Sequence, residues 1–174
     1  MNKNLLVGSV AIIIVVMFGV SIFTDKDLGT GKLIETEKSL PLQFYEIADV
    51  PEQPPNILSI VTKATEQDTY EQNWDFYQLT KNIPTVEFDK SDVYFIGVQE
   101  SGSCPYEVET IKVNDLKKEL VIYLYRSGDT CNADATPRTF VVEVAKDIST
   151  TMETAQIVFH DGGNRETSIV AKIR

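Results

Sequence analysis

The chain has 174 residues, of which 26 are acidic and 16 basic, giving a net charge of −10 at pH 7 with one histidine and two cysteines. An acidic excess of this size repels nucleic-acid phosphates and anionic headgroups, which disfavours nucleic acid as a partner. Beyond the first apolar segment about 150 residues remain, enough for one domain to bury its own core.

Residues 1–23 read as a membrane segment. After Lys3 the run 5–23, LLVGSVAIIIVVMFGVSIF, holds no charge, and a hydrocarbon core of about 30 Å needs roughly 20 apolar residues in a helix. The apolar part of a signal peptide is shorter, roughly 7–15 residues, and Gly19 with Ser21 imitates a cleavage site poorly. A retained anchor in contact with membrane lipid is therefore expected, with a cleaved signal as the alternative. The amino terminus and Lys3 before the run, against the net negative Asp25-Lys26-Asp27 after it, put the N-terminus inside and the rest of the chain outside the cytoplasm. Residues 24–31, with two glycines and no periodicity, read as a short flexible stalk, and residues 32–174 as a single exported β-rich domain.

From Lys32 to Val50 apolar and charged residues mix in a strand-like manner, with Pro41 confining any strand to an edge or a break. Residues 51–56, PEQPPN, read as a turn or linker. After the apolar run 57–64 a helix is expected, because Tyr70, Trp74, Tyr77 and Gln78 fall at helical spacing, with Asp68 or Thr69 as N-cap and Pro84 as the stop. The aromatic stripe reads as a packing face against a sheet.

Strand-like runs then occupy 93–98, 106–113, 119–125, 139–145, 155–160 and 167–173. Turn residues divide them, and Asp161-Gly162-Gly163-Asn164 is a strong hairpin signal. Within 106–113 the alternation slips, since Tyr106 and Val108 share one face while Ile111 and Val113 fall on the other. A β-bulge near Glu109 and Thr110 restores a common face. The expected fold class is mainly β, of the α+β kind: an antiparallel meander or sandwich with one packed amphipathic helix, preceded by a single transmembrane helix.

The two cysteines fit this frame. Export places Cys104 and Cys131 in an oxidising compartment, and a hairpin centred on 114–116 pairs positions whose numbers sum to about 232, so that Cys104 comes close to Gly128 and hence to Cys131. A disulfide is the favoured reading over free thiols or a metal site. The lone His160 lies in a strand, without the spacing of a metal motif or the partners of a catalytic thiol. Asp129, Asn132 and Asp134 form an acidic loop that lacks the glycine and glutamate of a calcium loop, so no metal and no cofactor are expected.

A staple between Cys104 and Cys131 ties the turn 99–105 to the loop 127–137 at one end of the sheet. That end carries Glu100, Tyr106, Arg126, Asp129, Asn132, Asp134 and Arg138, a mixture suited to protein recognition. Reversing the charges of Asp129 and Asp134 is expected to weaken binding to an envelope-protein partner while leaving the melting temperature nearly unchanged, since exposed loop substitutions cost within about 0.5 kcal/mol.

The order of a helix bearing Trp74, the segment PTVEFDKSDVYFIGV at 84–98, a glycine turn into a tyrosine-led strand, a following strand and Thr136-Pro137 before RTFVVEVAK resembles the C-terminal domain of the bacterial protease-complex protein PrcB. The resemblance spans about residues 57–146. That family's T-G-G-Y-like turn is matched by Ser101-Gly102 and Tyr106, with Ser103-Cys104-Pro105 inserted between them. It implies a small exported β-rich domain that acts by protein contact, with no catalytic residues to carry over. The expected function is thus a membrane-tethered extracytoplasmic interaction module, not an enzyme, whose partner is an envelope protein such as a protease or assembly factor. An exported hydrolase or metal-dependent enzyme using acidic residues is the alternative, although no nucleophile, zinc or phosphate-loop motif is present.

Overall fold

The computed structural model describes residues 28–49, 57–126, 128, 130–161 and 166–174. The expected anchor, residues 24–27, the linker at 51–56, Asp129 and the turn at 162–165 lie outside them. Eight strands are found among the described residues: β1 Gly31–Glu37, β2 Ser59–Ala64, β3 Ser91–Glu100, β4 Tyr106–Asn114, β5 Glu119–Arg126, β6 Thr136–Ala145, β7 Thr154–Asp161 and β8 Glu166–Lys172. One helix of several turns, α2 Gln67–Phe76, joins two single-turn helices, α1 Phe44–Ile47 and α3 Lys146–Ser149.

The strands form two four-stranded sheets, ordered β1-β6-β3-β2 and β4-β5-β7-β8. This is a mainly β fold of α+β character, but not a simple meander. After β5 the chain leaves the second sheet, runs β6 through the first, and returns by way of α3. β7 therefore enters from the same end as β5 and pairs with it in parallel, Glu119 opposite Thr154. The other named ladders are antiparallel.

The main core lies between the sheets, where Tyr94, Ile96 and Val98 of β3 and Phe140, Val142 and Val144 of β6 meet Leu120, Ile122 and Leu124 of β5 and Ala155, Ile157 and Phe159 of β7. A second core lies on the other side of the first sheet and collects Val93, Phe95 and Val141 beneath Tyr70, Trp74 and Tyr77. β3 is thus covered on both faces, which explains why its sequence is an unbroken apolar run where a one-sided strand alternates. Burying one such Ile, Val or Phe side chain contributes about 1.5–3 kcal/mol.

The aromatic stripe packs as expected: Tyr77 stacks on Phe95 at 5.4 Å between centroids, and Trp74 meets the same ring edge-on at 6.3 Å. The ends of the helix differ from the sequence reading. Its N-cap is Glu66, with no side-chain cap bond, so neither Asp68 nor Thr69 starts it. It stops well before Pro84, because the Leu79 N–H bonds to the Trp74 carbonyl and the Gln78 N–H to that of Asp75. These are the two bonds of a Schellman ending, which puts Gln78 in the left-handed region at φ 57°.

Both seams of the sandwich are closed. At one, Gly29 bridges to Ile111, with the Ile111 N–H bonded to the Leu28 carbonyl at 2.6 Å; at the other, Ile173 bridges to Val61. Unpaired edges are therefore covered on both sides. The first seam corrects the stalk boundary, since Leu28 is 1% exposed and belongs to the main core. Gly29 serves close approach and not flexibility: at φ +92° an added Cβ would stand 2.8 Å from the Ile111 carbonyl oxygen. Facing this seam the register of β4 and β5 shifts between Val108 and Thr110, the bulge anticipated there.

Candidate interaction surface

β3 ends with Glu100 opposite Thr136, and β4 starts with Tyr106 opposite Arg126. The turn 101–105 and the β5–β6 loop therefore leave the sandwich at the same end. Cys104 and Cys131 lie at disulfide distance, with Cα atoms 5.7 Å apart. The expected register accounts for this. Tyr106–Arg126 and Val108–Leu124 both sum to 232, and a Cβ on Gly128 would touch the Cys104 sulfur at 3.3 Å.

Further bonds tie the same two segments. The Asp134 carboxylate accepts the Gly102 N–H at 3.0 Å and the Ser101 hydroxyl at 3.2 Å, and the Asn132 N–H donates to Ser103 Oγ at 2.9 Å. Gly102 leaves room for this clamp, because a Cβ there would stand 2.7 Å from Asp134 Oδ2 and displace the carboxylate. Asp134 is exposed, yet it is not a free loop charge. Its reversal would break two hydrogen bonds to a charged acceptor, so it is not neutral to stability.

The predicted surface residues divide into two groups. Glu100 is 3% exposed and lies beneath the surface, accepting Arg138 Nε at 2.8 Å and the Tyr106 N–H at 2.8 Å. Arg138 also reaches Thr36 Oγ1 at 3.4 Å. This ion pair, with Glu100 buried and Arg138 partly exposed, joins β1, β3, β4 and β6 and braces the end of the sandwich. The Tyr106 ring packs 5.2 Å from Phe159 and also serves the interior. Arg126 is half-buried at the end of β5, and Asp129 lies outside the described residues. Asn132 and Asp134 remain exposed, together with Gly102, Ser103, Pro105, Thr130, Ala133 and Ala135.

A second polar constellation, absent from the sequence reading, lies at the opposite end. Asp92 is 1% exposed and stands 3.3 Å from Lys63 Nζ and 3.6 Å from Lys146 Nζ. Ser149 Oγ donates to Asp92 Oδ2 at 2.7 Å and lies 2.6 Å from the Tyr94 hydroxyl, while Lys63 Nζ donates to the Ser149 carbonyl at 3.0 Å. Burial, reinforced by the Asp92 charge and opposed by the Ser149 hydrogen bond, pushes the Tyr94 hydroxyl up to about 12. Ser149 is fully buried, so the group plugs the interior between the sheets and offers no reachable nucleophile. The signal was parity: Lys63 and Asp92 occupy the inward-facing positions of their strands, in line with Val61 and with Tyr94 and Ile96.

His160 stands on the outer face of the second sheet, its Nδ1 3.7 Å from Glu109 and its ring 5.9 Å from that of Tyr125. Among the described residues no three His, Cys, Asp or Glu side chains gather as a metal site. Comparison with protein-family models, with curated proteins and with solved structures finds no match to this chain.

Proposed function

We propose that the domain is a membrane-tethered extracytoplasmic interaction module, without catalytic activity, that binds another envelope protein through the end bearing the turn 101–105 and the β5–β6 loop. The observation that carries this reading is the triple fastening of those segments by the cysteine pair, by Asp134 and by the Asn132–Ser103 bond. Segments already held in one geometry lose little freedom on binding, and binding residues concentrate on loops set on a rigid scaffold. Among the described residues the exposed surface there is made of small and polar side chains around the Asp134 carboxylate. It suits a partner presenting hydrogen-bond donors and positive charge. Tethering rests on the uncharged run 5–23, and the likeness to PrcB points to an envelope protease or assembly factor as the partner.

Photocrosslinking tests the reading. A crosslinking residue at Ala133 in membrane-embedded full-length protein should form an adduct with an envelope protein, and one at Lys112, exposed on the second sheet, should not. Adducts from Lys112 alone would move the interface away from the loops.

A further inference from the structure

We propose that the mouth of the sandwich between β2 and β8 binds a small organic carboxylate. The cleft there, of about 480 Å³, lies at the end opposite the loops and brings Lys63, Lys172 and Arg174 to one opening. The seam creates it. Ile173 bridges to Val61, the Arg174 N–H bonds to the Val61 carbonyl and the Lys63 N–H to that of Arg174, so cations from both sheets converge. Mouths of closed β structures are regular positions for small ligands.

The charge balance of this mouth runs against that of the chain, which has a net charge of −10. Lys63 and Lys146 share a single carboxylate, Asp92. Arg174 pairs with Asp49 at 2.9 Å, and Glu153, the one acid lining the cleft, is matched by Lys118. Lys172 makes no ion pair among the described residues; the nearest acid in its row, Glu119, stands beyond Thr154 in the strand registers. Counting the terminal carboxylate of Arg174, five cations face four carboxylates around the mouth, which leaves Lys172 as the cation to meet a ligand head, while Lys63, paired with Asp92 and with a side chain only 16% exposed, adds a charge that water screens far less than that of a surface lysine. Thr65 adds a hydroxyl donor, while Met152 and Ile173 supply an apolar wall. Cations for the head and an apolar wall for the body favour an organic carboxylate over an inorganic anion.

The test is a titration of isotope-labelled full-length chain with sodium butyrate, with sodium phosphate and with sodium chloride at matched ionic strength, followed through the backbone amide signals of Lys63, Thr65, Lys172 and Arg174. Butyrate should give saturable shifts at lower concentration than phosphate, and chloride none. Lys172→Glu should weaken butyrate binding about tenfold while the thermal midpoint stays unchanged. Butyrate shifts that only track ionic strength, saturation by phosphate alone, or full binding by Lys172→Glu would each overturn the assignment.

Discussion

Replacing Cys104 and Cys131 together by serine removes the covalent link between the β3–β4 turn and the β5–β6 loop. The two residues are 27 apart in the sequence, and closing a loop of that length contributes about 3.5 kcal/mol on the chain-entropy account. The bonds from Asp134 to Gly102 and Ser101, and from Asn132 to Ser103, survive the change. The loss therefore falls mainly on the freedom of the unfolded chain, and the folded loops keep their geometry. For a domain of about 150 residues, roughly 2–4 °C of melting temperature goes with each kcal/mol, so the midpoint should fall by about 7–14 °C. Urea unfolding of oxidised wild type, reduced wild type and the double variant measures the difference, and the last two should coincide. Alkylation of urea-unfolded, unreduced protein should label neither cysteine, and reduction should expose both. A stability loss under about 1 kcal/mol, together with full labelling before reduction, would show that no disulfide joins the two segments and leave Asp134 as the main tie.

Gln78→Gly should raise stability by about 0.5–1 kcal/mol in thermal melting, because glycine relieves the left-handed strain at the end of α2 by more than its extra freedom in the unfolded chain costs. Asp92→Ala should lose about 3–5 kcal/mol in urea unfolding, since it leaves Lys63 and Lys146 without their shared counter-charge and the Ser149 hydroxyl without its carboxylate acceptor. Above pH 10 stability should fall progressively. Burial raises the hydroxyl pKa values of Tyr70, Tyr77 and Tyr94, so the folded state keeps protons that the unfolded state releases, and their contribution is complete below the ordinary tyrosine value and lost as pH passes the raised ones. Absorbance titration of tyrosinate should accordingly show these tyrosines ionising only with unfolding.

Much of the sheet architecture was legible because the signals were local. The later strands are marked by alternation and turn residues, the bulge by a slip of parity at Glu109 and Thr110, and the cysteine proximity by hairpin arithmetic. What escaped depended on long-range pairing. The parallel β5–β7 ladder arises only because β6 belongs to the other sheet, which no local pattern announces. Gly29 and Gly31 looked like a linker, since a glycine required for close approach to Ile111 reads the same as one that confers flexibility. Glu100 and Arg138 looked like surface charges because each was judged alone. Their pairing comes from the β3–β6 register, and it takes Glu100 out of solvent and leaves Arg138 only partly exposed. Asp134 lies in a polar loop by every sequence measure, and its clamp on Gly102 is visible only once the two segments are side by side.

If the fastened loop end is the recognition surface, a quantitative pull-down should register its loss. Full-length wild type, Asn132→Arg, Ala133→Arg and the distant control Lys172→Glu would be used as bait in detergent-solubilised membranes. All four should melt at nearly the same temperature, because the changed side chains are exposed and carry none of the ties described above. One envelope protein should be recovered by wild type and by Lys172→Glu and be lost from both loop variants. Undiminished recovery of that protein by Asn132→Arg and Ala133→Arg would contradict that role for the loop end.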